Sequence, residues 1–97
     1  MDKKFYVYIL ATGKHGTLYI GLTSNLLKRI WEHKYKVFEG FTEKHDVSEL
    51  VYFEIYDTFD EAVKREKNMK AWQRAWKIHL IEESNPHWRD IYDEINR

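Results

Sequence analysis

The 97-residue sequence contains no cysteine. Disulfides, zinc–thiolate sites, iron–sulfur clusters and thiol nucleophiles are therefore excluded. Long apolar runs are missing too, because no stretch approaches the roughly 20 apolar residues of a membrane-spanning helix. The N-terminal residues contain no small-residue cleavage site of the kind that ends a signal peptide. We therefore expect a protein of the reducing cytoplasm with no membrane partner.

Glycine and proline are scarce, with four residues and one residue respectively. None of them lies between residues 57 and 85, so neither breaks a helical pattern there. Hydrophobic residues make up 43% of the chain and aromatic residues 16%, which supplies enough apolar surface for one core. We expect a single domain over residues 1–97, because domains usually run from about 50 to 250 residues.

Net charge is absent as well, since 16 basic residues balance 16 acidic ones. A zero balance normally argues against a nucleic-acid partner, but here the charges are segregated along the chain. Residues 1–36 contain seven basic and two acidic residues, and residues 63–79 contain six and one. Residues 37–62 contain one basic and eight acidic residues. The two basic blocks predict one positively charged face.

Three segments are predicted to be strands. Residues 5–11 and 17–22 are rich in aromatic and β-branched residues, and the glycines between them are typical of an antiparallel hairpin. Residues 50–56 have a similar composition and are expected to join the hairpin, with residues 5–11 in the centre. The expected fold class is α/β in the α+β sense, a small three-stranded antiparallel sheet flanked by helices.

The predicted helices begin at recognisable capping residues. Residues 23–25 are all good helix caps, and the apolar spacing after them predicts a helix that ends near Lys34. A capping box at residues 58–61 predicts a second helix, and the length of that region predicts a break near residues 72–73. A last short helix is expected over residues 86–96, with the proline as its first residue.

Five side chains are candidates for chemistry. Arg29 and His33 are one helical turn apart, so both can reach one phosphate, although most such pairs are ordinary surface residues. Tyr8 and Tyr19 lie on paired strands, where a phenol can contact a substrate oxygen, although packing is the ordinary role of a strand tyrosine. Glu66 is the only acid in a basic helical segment, and it is either a salt-bridge partner or a ligand for a hard metal ion.

The order of these residues resembles the GIY-YIG nuclease superfamily. The superfamily is named after two strand motifs, of which Tyr-Ile-Gly at residues 19–21 matches the second and Tyr-Val-Tyr at residues 6–8 loosely matches the first. Arg29 follows the motif glycine by eight residues, His33 lies one turn further, and Glu66 lies on a later helix. This motif core spans residues 5 to about 80.

The closest resemblance is to the small stand-alone bacterial proteins of this superfamily. Their Glu-Gly-Phe-Thr element stands here at residues 39–42, and their Asn-Pro-x-Trp-x-Asp element at residues 85–90. The resemblance then covers nearly the whole chain. It implies a kinship with the catalytic domain of the excision-repair incision subunit, and so a role in DNA repair.

The resemblance implies a divalent-metal-dependent endonuclease that hydrolyses DNA phosphodiester bonds. It implies that Glu66 holds Mg²⁺ or Mn²⁺ and that Arg29 binds the scissile phosphate. Tyr8, Tyr19 and His33 then orient or deprotonate the attacking water. Substrate binding is assigned to lysines of the two basic blocks, namely Lys28, Lys34, Lys64, Lys67 and Lys70. The implied partner is DNA, branched or damaged DNA included, with a homodimer or a partner protein as the source of specificity.

An alternative is a catalytically weak or inactive member of the fold that acts as a nucleic-acid-binding or protein-interaction module. Many nucleases of the superfamily have an asparagine about three helical turns after the metal-binding glutamate. This sequence has Lys77 and Ile78 there. A second choice concerns three tryptophans, which either stack on unpaired bases or seal the core, the commoner role. They are Trp72, Trp76 and Trp88.

Overall fold

The computed structural model describes residues 3–35 and 47–96. The Glu-Gly-Phe-Thr element at residues 39–42 lies outside the described residues. The sheet consists of β1 (Phe5–Ala11), β2 (Leu18–Thr23) and β3 (Glu49–Tyr56). Both pairings are antiparallel and the order is β2-β1-β3, which confirms the predicted central position of β1.

The central strand is buried on both faces of the sheet. Successive side chains of a strand point to opposite faces, so β1 supplies two separate apolar surfaces. Val7 and Ile9 belong to one core, whereas Tyr8 and Leu10 belong to the other. Because both faces are covered, the burial of β1 runs through consecutive residues, with no alternation between buried and exposed.

Four helices are described, and together they cover both faces: α1 Leu26–Lys34, α2 Phe59–Ala71, α3 Arg74–Ser84 and α4 Tyr92–Ile95. The Asn25 side chain caps α1 by accepting from the backbone N–H of Lys28. Thr58 caps α2 by accepting from the N–H of Glu61, as the capping box predicts. In the part of the chain that the structure describes, no helix has the length and apolar content to cross a membrane.

Each face of the sheet has its own helical layer. Residues of α2 and α3, among them Met69 and Ile81, pack on the face that carries Val7 and Ile9. Residues of α1, together with the C-terminal segment and α4, pack on the face that carries Tyr8. The predicted break between α2 and α3 is confirmed, because residues 72 and 73 have extended backbone.

The last helix is shorter than predicted, because only Tyr92–Ile95 is helical and the segment from Pro86 is not. Asn85 is buried, and its side chain donates to the carbonyl of Arg89 at 2.9 Å and accepts from that residue's N–H at 3.0 Å. Trp88 has a positive φ of 57° and is 3% exposed. These side-chain bonds hold a turn in place of a helix, and the turn puts the indole into the core.

Candidate functional site

The candidate site lies at the β2 edge of the sheet, and a glycine determines its shape. Tyr8 on β1 is paired with Gly21 on β2. A Cβ atom built on Gly21 would overlap the Tyr8 ring and hydroxyl, with Cε2 only 2.9 Å away. The glycine of the Tyr-Ile-Gly motif therefore leaves room for the phenol to lie across β2.

Three rings meet beside that glycine. The Tyr8 hydroxyl lies 3.1 Å from Nε2 of His33, and both residues are buried, with 1% and 4% of their surface exposed. The Tyr19 ring is half-buried, with its centroid 5.4 Å from that of His33 and 6.4 Å from that of Tyr8. We call Tyr8, Tyr19 and His33 the aromatic cluster. It joins β1, β2 and α1.

The pKa values of two cluster members move away from their ordinary values. Burial raises the pKa of Tyr8, and neighbouring Tyr19 adds to the rise. A hydrogen bond and the positive charge of Arg29 oppose it, whereas the negative charge of Glu66 raises it further. Burial, and then the charge of Arg29, lower the pKa of His33 to about 4. At neutral pH the cluster therefore contains a protonated phenol and a neutral imidazole.

Arg29 and Glu66 approach the cluster from the two opposite helical layers. Arg29 lies on α1, with Nε 3.4 Å from Oε1 of Glu32, and its side chain is 41% exposed. Glu66 lies on α2, with its carboxylate 3.2 Å from Nζ of Lys70, and its side chain is 19% exposed. The charges of Arg29 and Glu66 both act on the Tyr8 hydroxyl. The β2 edge is thus where groups from both layers meet.

The structure separates the five candidate residues by access to solvent. Tyr8 and His33 are almost fully buried. Tyr19, Arg29 and Glu66 keep part of their surface exposed. The sequence predicts the same role for both tyrosines. Their difference comes from the central position of β1 and the edge position of β2.

Among the predicted substrate-binding lysines, Lys34 contacts residues that lie far from it in the sequence. Its ammonium forms an ion pair with Asp90, donates to the Ser48 carbonyl at 3.1 Å and lies 5.2 Å from the centroid of the Tyr92 ring. Lys34 therefore connects α1 to the C-terminal segment and to the residue before β3. The remaining predicted lysines are all exposed at the surface: Lys28, Lys64, Lys67 and Lys70.

Lys77 lies close to the candidate site, although the sequence pattern does not predict it as a site residue. An open pocket of about 280 Å³ is lined by Leu18, Tyr19, Ile20, Lys70 and Lys77. The ammonium of Lys77 donates to the Lys70 carbonyl at 3.4 Å across the break between α2 and α3. We call this cavity the lysine pocket. The sequence signal for Lys77 is its position in the basic block of residues 63–79.

Comparisons with known proteins agree with this architecture. A sequence model of the GIY-YIG catalytic domain matches residues 4–79. A UPF0213 protein of Staphylococcus saprophyticus is 40% identical over 83 residues, which cover 86% of this chain and 99% of that protein. A UPF0213 protein of Clostridium perfringens is 37% identical over 91 residues, with coverages of 94% and 97%.

A solved structure is similar to this fold. The solution NMR structure of a UPF0213 protein of Bacillus halodurans superimposes with a TM-score of 0.56 at 26% sequence identity. The match covers 90% of this chain and 92% of that chain. The predicted α+β class, a three-stranded antiparallel sheet with flanking helices, is therefore confirmed.

Proposed function

Because the chain belongs to the GIY-YIG catalytic domain family, we propose that it is a divalent-metal-dependent endonuclease that hydrolyses DNA phosphodiester bonds. The observation that supports this proposal best is the meeting of five groups at the β2 edge. Two phenols, a partly exposed cation and a carboxylate lie near one another there, beside a neutral imidazole. These are Tyr8, Tyr19, Arg29, His33 and Glu66.

The residues present fit a magnesium or manganese ion bound through one carboxylate. Among the described residues, no group of three or more acidic or histidine side chains is arranged to hold a metal. Mg²⁺ is commonly bound through only one or two carboxylates, with waters and substrate phosphate oxygens as its other ligands. Glu66 is exposed enough to be such a ligand, with Lys70 then released from its ion pair. A bound ion would offset phosphate charge and acidify water.

Arg29 is proposed to bind the scissile phosphate. Its guanidinium is fixed on one side by Glu32 and Tyr8, while 41% of its side chain stays accessible. A cation fixed in this way needs little reorganisation when the transition state gathers negative charge. The same charge keeps the pKa of His33 low, so Arg29 also helps to hold the imidazole neutral.

Tyr19 is proposed to contact the attacking water, because it is the cluster phenol that solvent reaches. Tyr8 and His33 are positioning residues in this proposal. The hydrogen bond between them fixes two rings against which Tyr19 packs. The raised pKa of Tyr8 keeps its proton on the phenol, so the hydroxyl remains able to donate to the neutral imidazole.

The proposal is tested by incubating the protein with supercoiled plasmid, and with flapped and branched DNA, in Mg²⁺, in Mn²⁺ and in chelator. We expect cleavage that depends on metal and falls at least about 100-fold in Glu66→Gln, since one carboxylate holds the ion. Glu94→Gln is the matched control, because Glu94 on α4 is 40% accessible and forms an ion pair with Arg89, as Glu66 does with Lys70. Cleavage that survives Glu66→Gln would contradict the proposal. DNA binding with no cleavage in either metal would support the binding module instead.

A further inference from the structure

One exposed tryptophan is not used by the proposed chemistry. Trp88 is in the core, whereas Trp76 on α3 is 59% exposed. The Trp76 ring lies edge-on to that of Trp72, with 6.1 Å between their centroids. The two rings line an apolar pocket of about 310 Å³ together with His79, Leu80 and Glu83. We call this the tryptophan pocket.

The lysine pocket links the candidate site to the tryptophans, because it is lined by Tyr19 of the aromatic cluster and by Lys77, the neighbour of Trp76 in the chain. Glu66 and Trp72 are six residues apart, which corresponds to about 9 Å along a helix. That distance is roughly the length of two to three stacked nucleotides at about 3.4 Å each. Of the residues that line the lysine pocket, Lys70 lies on α2 and Lys77 lies on α3.

Both tryptophans lie in a basic segment of the chain. Residues 63–79 contain six basic residues and one acidic residue, and Glu83 adds one carboxylate to the tryptophan pocket. The Arg65 guanidinium lies 4.9 Å from the centroid of the Trp72 ring, and Glu54 holds that guanidinium through two hydrogen bonds of 2.8 and 2.9 Å. The Trp72 ring is therefore kept in place while the Trp76 ring remains available for contact.

We propose that the lysine pocket and the tryptophan pocket together bind an unpaired DNA strand that continues from the cleaved phosphate. Lys70 and Lys77 contact a phosphate of that strand, and an unpaired base stacks on Trp76. A basic groove with an exposed aromatic side chain is how proteins bind single strands without reading their sequence. A base in a duplex has both faces covered by its neighbours and cannot stack in this way. The inference rests on the proposed function, and it makes DNA with a single-stranded flap or overhang the preferred substrate.

The experiment measures binding in chelator, by fluorescence anisotropy, to labelled single-stranded DNA, to a duplex with an overhang and to a blunt duplex. Trp76→Ala is compared with Trp31→Ala, which removes another exposed tryptophan, 47% accessible. Trp31 is two residues from Arg29 on α1 and so points to the other side of that helix. We expect Trp76→Ala to weaken binding to single-stranded and overhang DNA about tenfold, since stacking contributes about 1–3 kcal/mol per base. Blunt-duplex binding, and every affinity of Trp31→Ala, should stay unchanged.

Lys77→Ala gives an independent measurement, with Lys14→Ala as the control of equal charge. For single-strand binding, we expect the slope of log affinity against log salt concentration to become shallower by about 0.7 in Lys77→Ala, which is the contribution of one phosphate contact. An unchanged single-strand affinity in Trp76→Ala, or an equal loss on blunt duplex, would overturn the inference. So would an equal effect of the Trp31 and Trp76 variants. Because these assays contain no metal, failure of the nuclease proposal appears separately, as absent cleavage with the binding differences intact.

Discussion

Acid should destabilise the fold through one buried histidine. In the folded protein, burial and the charge of Arg29 lower the pKa of His33 from 6.5 to about 4. In the unfolded chain the imidazole regains its ordinary pKa. Between these two values the unfolded state binds more protons than the folded state, so the free energy of unfolding falls as the pH falls. Above about pH 7.5 the imidazole is neutral in both states, and the contribution of His33 no longer changes.

The size of the effect follows from the two pKa values. Each tenfold change in proton affinity corresponds to about 1.4 kcal/mol. Below pH 4 the free energy of unfolding is therefore about 3 kcal/mol lower, through His33, than at neutral pH. At pH 5 the loss is about 2 kcal/mol, because the folded imidazole is still mostly neutral there while the unfolded one is charged. A domain of this size is stable by about 5–15 kcal/mol, so a loss of 2 kcal/mol is easily measured.

The measurement is urea unfolding at pH 7.5 and at pH 5.0 for the wild type, for His33→Gln and for the control His79→Gln. His33→Gln cannot titrate, so its stability should depend less on pH, by about 2 kcal/mol, than that of the wild type. His79 is 79% exposed on α3, and its replacement should leave the wild-type pH dependence intact. Carboxylates that titrate in acid affect all three proteins equally and cancel in the comparison. The same pH dependence in the wild type and in His33→Gln would refute the reasoning.

Three further substitutions test other parts of the site and its frame. Gly21→Ala should cost at least about 2 kcal/mol of stability by urea unfolding, because the new methyl group overlaps the Tyr8 ring. Arg29→Ala should lower kcat more than it weakens DNA binding, and should change stability by less than about 1 kcal/mol; equal effects on both would make it a binding residue only. Asn85→Ala should lower the free energy of unfolding by about 1–3 kcal/mol, measured by thermal unfolding, because the buried Val51 carbonyl loses its 3.1 Å donor.

Local patterns were sufficient to predict most of the fold. Apolar and β-branched residues separated by glycines fix a hairpin whatever the rest of the chain does. The caps at Asn25 and Thr58 act within one helical turn, so sequence spacing alone locates them. The central position of β1 follows from its long run of apolar residues. Five consecutive residues, Val7–Ala11, are buried, and only a strand that is covered on both faces buries such a run.

Contacts between distant segments were not predictable in the same way. A helix from Pro86 satisfies every local rule, but Asn85 instead bonds to the backbone of β3, 34 residues earlier in the chain. Lys34 has the sequence neighbours of an exposed lysine, and only the tertiary fold brings Asp90 to it. Trp76 and Trp88 both lie in segments that the sequence predicts to be helical, yet Trp76 is 59% exposed and Trp88 is 3% exposed. Sequence spacing does not show which distant residues a side chain contacts in the folded protein.

The two motif tyrosines show how strand position creates different chemistry from one residue type. Tyr8 lies on the central strand opposite Gly21, so its ring is covered from every side and its pKa rises. Tyr19 lies on the edge strand opposite Leu10, where one flank stays open to the lysine pocket. Burial suits Tyr8 to hold a neutral His33 by a fixed hydrogen bond, since a phenol that keeps its proton remains a donor. Exposure suits Tyr19 to meet water and substrate. Tyr8→Phe should therefore disturb the geometry of His33. Tyr19→Phe should lower the cleavage rate with little change in the free energy of unfolding.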